Sequence, residues 1–549
     1  MPLIPPPVMQ EAGTEASESW QEISRRKREA LAASIPPQWR IADDLVPPQS
    51  QLDVTSWPAS SGWFTDDELA ITELSATQLA AQLCSGQLKS EVVTRAFCKR
   101  AAAAQQLTNC LAEIVFDRAL ATARARDAHL EETGKPLGPL HGLPVSIKDN
   151  FKLCGVDSTI GFVSHVGDAA TSQSTLVTLL EQAGAVIYVK TNVPTAMMIP
   201  ETVNNLFGRT CNPRNRETTS GGSSGGEAAL ITLCGSPLGV GTDIGGSIRV
   251  PAACTGIFGL RPSFGRFPTR NCRSGMPGQE TVRSVNGPLA RSLADIELFC
   301  KSVIGQEPWR HDTRCLPIPW RQVEAPQRLR IAVLYHDGLV LPTPPVTRAL
   351  KETVKKLQAA GHDIVEWDPV YNQLSGPLLM RMFVSDGGKT IRQELERTGE
   401  PWPLGLEAYR VAKELGTYDL WKLHADRVEL SDKVLDCWNK AQIDAILSPT
   451  TAYSSAKHDT LLHVVYTGIF NVLDYSTMSF PTGHVVDKNI DILDKDYQPL
   501  SPTCKMVNEN YDAAHVDGLP ISLQLAAQRL QEEKLLAMTQ CVLEALSLP

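Results

Sequence analysis

The 549-residue chain has no apolar run of membrane-spanning length, no long block of one charge sign and no Cys-x-x-Cys pair. A helix crosses a bilayer with about 20 consecutive apolar residues, so no membrane-spanning segment is expected. Acidic residues outnumber basic ones, 61 to 52, and the net charge is −9. A chain whose main partner is a polyanion has the opposite balance, so nucleic acid is not an expected partner. The 13 cysteines are odd in number, scattered from Cys84 to Cys541 and never clustered with histidine. That pattern suggests neither a zinc site nor a disulfide framework, and a reducing, cytoplasmic setting fits it. Met1–Gln10 is proline-rich and runs into the charged stretch Glu22–Glu29, without the basic-then-apolar order of a secretory signal. The ending Leu546-Ser547-Leu548-Pro549 is neither a prenylation box nor a peroxisomal address. The chain reads as soluble.

What is present is material for a large core: 42% of residues are apolar and 21% charged. Residues 1–74 read as an N-terminal arm, with a helix near Ser24–Ala33 whose basic cluster Arg25–Arg28 is expected to be a solvated face. Residues 75–549 read as one domain. Alanine and leucine spacing predicts helices from Ser75 to Glu132, broken at Gly86 and near Gln106. After Gly134, strands and helices alternate: strand Leu143–Ile147, helix Ser174–Ala183, strand Ala185–Lys190. The alternation resumes at Arg328–Tyr335, Val346–Ala360, Asp363–Trp367, Ile443–Leu447 and Ile521–Leu525, and a helix closes the chain at Gln531–Leu546. This predicts an α/β fold, a sheet with helices on both faces. Pro308–Ala325 reads as a surface excursion.

Glycine is unevenly distributed: of 38, nine fall between Gly221 and Gly246. They form two glycine–serine elements, Gly221-Gly222-Ser223-Ser224-Gly225-Gly226 and Asp243-Ile244-Gly245-Gly246-Ser247-Ile248-Arg249, each followed by a helix-forming run. Such loops can aim several backbone N–H groups at one point, which suits a phosphate or an oxyanion. The Lys-Ser/Thr ending of a phosphate loop and the dinucleotide fingerprint are both missing. Gly221–Gly225 satisfies Gly-x-Ser-x-Gly, but that elbow must follow a buried strand, and the polar stretch Cys211–Ser220 is not expected to form one. Asp243–Ser247 does follow a short apolar run, so Ser247 is the better candidate nucleophile. A serine must pass its proton to a base. His165 and His311 are the nearest histidines in sequence, and spacing alone excludes neither.

Lys148 in Gly142-Leu143-Pro144-Val145-Ser146-Ile147-Lys148-Asp149, followed by the two glycine–serine elements in this order, resembles the amidase-signature family. The flanking segments Gln105–Cys110, Glu201–Asn205 and Gly305–Trp309 are similar to its fungal acetamidase or general-amidase branch. Glu227-Ala228-Ala229 departs in having alanine where relatives often carry glycine.

The resemblance implies a central mixed β-sheet covered by helices on both faces, with an N-terminal helical arm. It implies a Ser-Ser-Lys triad: Ser247 the nucleophile, Ser223 the bridging serine, Lys148 the base, with a cis peptide at Gly222–Ser223. Backbone N–H groups of Ile244, Gly245, Gly246 and Ser247 would form the oxyanion hole, and Met197 would contact substrate through its carbonyl alongside Ser223. Asp243 and Arg249 would hold the loop and Ser223 from behind. No cofactor or metal is implied, the partner is a small amide, and some members form homodimers. Lysine serves as a base only when neutral, and an ordinary pKa of about 10.4 leaves well under ~1% neutral at pH 7. Burial must lower it. Leu143, Val145 and Ile147 share one strand face, which puts Ser146 and Lys148 on the other.

The expected function is hydrolysis of linear carboxamides through an acyl-enzyme. The alternatives are a glutaminase-type subunit of an amidotransferase and a catalytically silent binding or scaffold protein.

Overall fold

The computed structural model describes residues 18–324, 326–494 and 496–547. Met1–Gln10 and the terminal Leu548-Pro549 lie outside them. An eleven-stranded mixed sheet runs through the molecule. Its first half, in spatial order, is Leu111–Ile114, Val186–Thr191, Pro144–Lys148, Leu238–Asp243, Val285–Ala290 and Phe258–Arg261. It continues through Ser476–Val485, Pro520–Ala527, Ala445–Pro449, Arg330–Val333 and Asp363–Glu366. Helices cover both faces.

Pro144–Lys148, the lysine strand, lies parallel between Val186–Thr191 and Leu238–Asp243, with Ser146 paired to Gly239. With a neighbour on each edge and all five residues buried, its side chains have no path to water. The alternation places Ser146 and Lys148 toward helix Gly225–Thr232, as the sequence pattern requires. That helix sits close to the sheet because Gly239 has no side chain. A Cβ there would come within 2.3 Å of a Glu227 carboxylate oxygen.

The alternating strands and helices fall within a few residues of their predicted positions. Four sheet strands carry no clear pattern in the sequence. Val285–Ala290 contains Gly287 and Pro288, Phe258–Arg261 and Leu111–Ile114 are four residues long, and Ser476–Val485 is mostly polar and contains Pro481. The polar stretch before Ser223 does form β-structure, a small hairpin pairing Cys211–Asn212 with Asn215–Thr219, but it stands apart from the main sheet. Pro308–Ala325 is anchored by buried Pro308, Asp312 and Cys315 and is otherwise largely exposed through Glu324. Among the described residues no helix is long and apolar enough to cross a membrane.

The basic cluster in the arm is not a uniformly solvated face. Helix Trp20–Ala33 starts with a Ser19/Glu22 capping box, and Arg25 pairs with Glu29 at the surface. Lys27 instead reaches into the molecule, pairing with Glu113 and, at 2.9 Å, with Asp157, while Arg28 donates to the Leu206 carbonyl at 2.8 Å. The next charges inward are Lys190 and Asp149, fully buried and 3.1 Å apart, with Lys190 also donating to the Asp157 carbonyl. Removing one partner of a buried pair leaves the other charge uncompensated. Lys27→Met is therefore expected to destabilise the protein by about 3 kcal/mol in urea unfolding. Arg25→Ala, at an exposed pair, is expected to cost less than about 1 kcal/mol.

Candidate active site

Three elements converge around the end of the lysine strand. Lys148 Nζ lies 2.7 Å from Ser223 Oγ and 2.7 Å from Thr242 Oγ1, with no exposed surface. Desolvation pushes its pKa down to about 7, although the nearby Asp243 and Glu227 carboxylates pull the other way. Burial outweighs both neighbouring carboxyl groups, which is the condition a lysine base requires. Glu227 is buried beside it, accepting from Ser146 Oγ at 2.6 Å and Thr191 Oγ1 at 3.0 Å. Burial raises its pKa to about 8, against those hydrogen bonds and the pull of Lys148.

Ser223 follows a cis peptide from Gly222 and lies in a fully buried loop held at both ends. Thr202 Oγ1 donates to the Gly221 carbonyl at 2.9 Å and accepts the Gly225 amide at 3.1 Å. The amide of Ser224 donates to the Ser247 carbonyl at 3.1 Å and ties the two serine loops back to back. Among the described residues no hydrogen bond joins the Ser223 and Ser247 hydroxyls directly.

Ser247 sits in the turn from Leu238–Asp243 into helix Arg249–Thr255. Asp243 organises that turn. Its carboxylate accepts the amides of Gly246 at 2.9 Å and Ile248 at 3.1 Å, and takes Arg249 through two oxygens at 3.0 Å each. The desolvation of Asp243 is outweighed by Arg249, so its pKa falls to about 2 and it stays charged at neutral pH. An Asp and Arg six residues apart would ordinarily meet at the surface; here neither has any exposure. The pair supports the Ser247 loop, and the structure shows no direct contact from it to Ser223.

Of the four amides that the family resemblance assigns to an oxyanion, that of Gly246 is engaged by Asp243. The amides of Ile244, Gly245 and Ser247 make no hydrogen bond among the described residues. Gly246 has φ +135°, and a Cβ on it would approach Thr467 Oγ1 to 2.3 Å. Its role in the loop is therefore conformational.

Sequence reasoning missed the groups that hold this loop from the C-terminal half. In helix Val465–Val472, Thr467 Oγ1 donates to the Gly245 carbonyl at 2.7 Å and Asn471 Nδ2 donates to Asp243 at 2.8 Å. Arg249 in turn donates to Asn471, the Thr467 carbonyl and Gln524. No local signal marks these residues, which stand more than 200 positions from the loop. Thr242 was legible, being inside a quoted motif, but its contact with Lys148 depends on strand pairing.

An apolar cavity of about 50 Å³ opens onto Ser247, lined by Met197, Ile244, Gly245, Val250, Phe383 and Val464 among others. Met197 ends the turn Thr195–Met197 with φ +59°, which puts its residue at the cavity wall. Neither His165 nor His311 belongs to this group: His165 bonds the Thr159 carbonyl and His311 is exposed. Among the described residues no cluster of His, Cys, Asp or Glu is placed to hold a metal ion.

Residues 92–536 match the family model described as Amidase. The chain is 40% identical to an acetamidase of Emericella nidulans over 539 residues, 95% of this chain and 97% of that one. It is also 40% identical to an acetamidase of Aspergillus oryzae, covering 96% and 98% of the two chains. A solved fatty acid amide hydrolase superposes with a TM-score of 0.93 at 36% identity, over 96% of this chain and 95% of that one. A bacterial aryl acylamidase shares the fold at 21% identity and a TM-score of 0.69, over 86% and 96% of the chains. The chain therefore belongs to the Amidase family and is a hydrolase of amide carbon–nitrogen bonds.

Proposed function

We propose that the protein is an acetamidase-like amidohydrolase that converts small linear carboxamides to a carboxylate and ammonia or an amine through a Ser-Ser-Lys relay. The observation that carries this reading is the 2.7 Å approach of the fully buried Lys148 Nζ to Ser223 Oγ, next to a cavity that exposes Ser247. The acetamidase relatives support the choice of acyl group. So does the cavity, which at about 50 Å³ is far smaller than the ~300–1,000 Å³ of sites for drug-sized ligands. All thirteen cysteines are unpaired, which supports a reducing compartment.

A neutral amine has two N–H bonds and one lone pair. With Thr242 accepting one N–H, the lone pair of Lys148 can face Ser223 and take its hydroxyl proton. Ser223 takes the proton of Ser247, and Ser247 Oγ attacks the amide carbonyl carbon. The amides of Ile244, Gly245 and Ser247 receive the oxygen that gains charge, and one such donor is typically worth ~10²–10³ in rate. The C–N bond then breaks, its electron pair goes to nitrogen, and the relay runs backward to protonate the departing amine. Water adds to the resulting ester by the same relay, releasing the carboxylic acid and restoring Ser247. Asp243 and Arg249 take no proton; their pairing fixes where the three amides point.

Three measurements check this scheme. A fluorophosphonate is expected to label Ser247; a label on Ser223 would instead restore the elbow reading. Because the base works unprotonated, kcat/KM for acetamide is expected to rise with pH and level off above a midpoint near 7, the pKa of buried Lys148. Lys148→Ala should remove that limb and lower kcat/KM by about 10²–10⁴-fold, and an unchanged rate would take lysine out of the mechanism. In an amide series graded by chain length, Phe383→Ala is expected to enlarge the cavity and shift preference from acetamide toward longer acyl groups.

A further inference from the structure

A second cavity, of about 150 Å³, borders the site. It shares Met197 with the apolar cavity and reaches Thr242, the hydroxyl that holds Lys148 Nζ. The two cavities differ in chemistry. The one beside Ser247 is lined by apolar side chains and loop backbone, whereas this one is lined by Asn150, Thr269, Arg273 and Gln279 among other polar groups.

Among the described residues, four buried polar atoms of its lining side chains have no hydrogen-bond partner: Asn150 Oδ1, Thr269 Oγ1, Arg273 Nη1 and Gln279 Nε2. Leaving a buried donor or acceptor unpaired costs free energy, so four around one cavity describe a site built for a polar occupant. Asn150 is only 2% exposed and stands two residues after Lys148. The site is also held in shape. The Arg273 amide donates to the Asn150 carbonyl at 2.9 Å, Asp168 engages Arg273 Nη2, and the Gln279 side-chain oxygen accepts the Val282 amide at 3.1 Å. Arg283 and Arg314 also line the space against the single carboxylate of Glu280; Arg283 pairs with Glu280 and Arg314 with Asp312.

We propose that this cavity is a subsite for the amine half of an N-substituted amide and that it favours amines bearing a carboxylate, so that N-acyl amino acids are a substrate class of this enzyme. The inference rests on the amidohydrolase reading above. With the acyl group beside Ser247, the nitrogen substituent of a bound amide extends past Met197 and Thr242 toward these walls. Arg273 Nη1 and Gln279 Nε2 are donors that fit a carboxylate, and Asn150 Oδ1 and Thr269 Oγ1 are acceptors that fit N–H. The reaction remains hydrolysis: the C–N bond breaks, the acyl group passes to Ser247 and then to water, and the nitrogen leaves protonated as a free amino acid.

The test compares kcat/KM for acetamide, N-acetylglycine and a neutral counterpart of similar shape with no second amide, N-isobutylacetamide. In the wild type, N-acetylglycine is expected to exceed N-isobutylacetamide by about tenfold or more, the usual scale for a hydrogen bond to a charged group. Arg273→Gln is expected to lower the ratio of N-acetylglycine to acetamide turnover at least as far. Gln279→Glu, which keeps the oxygen that caps Val282 and replaces the donor by a like charge, is expected to do the same and carries the test should Arg273→Gln not fold. Equal turnover of the acid and the neutral amide by the wild type, or ratios unmoved in the folded variants, would overturn the proposal. Failure of the underlying reading looks different: no acetamide turnover and no label on Ser247.

Discussion

The site depends on keeping one ammonium group out of water. Lys148 occupies the end of an interior strand, flanked on both edges and covered by the serine helix, and desolvation there outweighs two neighbouring carboxylates. Much of the surrounding architecture serves that enclosure. The flanking strands deny the lysine a route to solvent, Gly239 lets the covering helix approach, and Thr242 and Ser223 supply the partners an amine needs once water is removed. The same burial that would be costly for a charge favours the neutral amine.

A second constraint acts on geometry. The Ser247 turn is held around Asp243, which satisfies two loop amides and Arg249 with one carboxylate. A buried ion pair is weak evidence for stability by itself, because desolvation offsets attraction. Here its hydrogen bonds fix a loop rather than merely cancel charge. Engaging the Gly246 amide leaves those of Ile244, Gly245 and Ser247 unbonded on the same turn.

The parts of this arrangement legible in the sequence were those encoded locally. Alternation in Leu143–Ile147 placed Lys148 opposite the apolar face, and the glycine density marked two loops that must approach other backbone closely. The strands Leu238–Asp243 and Pro520–Ala527 and the last helix could be located from short apolar runs and helical spacing. Other parts had no local trace. Val285–Ala290 is a strand despite glycine and proline because pairing on both edges overrides propensity, and Gly287 lies where a Cβ would meet the Leu260 carbonyl at 2.3 Å. Lys27 looked like one more surface charge, since nothing near it shows that Glu113 and Asp157 wait below. The freedom of the Gly246 amide could not be judged until the direction of the Asp243 carboxylate was known.

The two contacts from helix Val465–Val472 bear on when the molecule becomes an enzyme. Lys148, Ser223 and Ser247 all leave the ribosome within the first half of the chain. The groups that hold the Gly245 carbonyl, Asp243 and Arg249 follow some 220 to 275 positions later, at Thr467, Asn471 and Gln524. Synthesis at about 5–20 residues per second puts on the order of ten seconds or more between the two events. A nascent chain thus holds Lys148, Ser223 and Ser247 before the groups that frame the Ser247 turn exist. The contacts around the Ser247 turn are complete only once the C-terminal third has been made, and a chain cut short after Ser247 carries all three motifs without Thr467, Asn471 and Gln524.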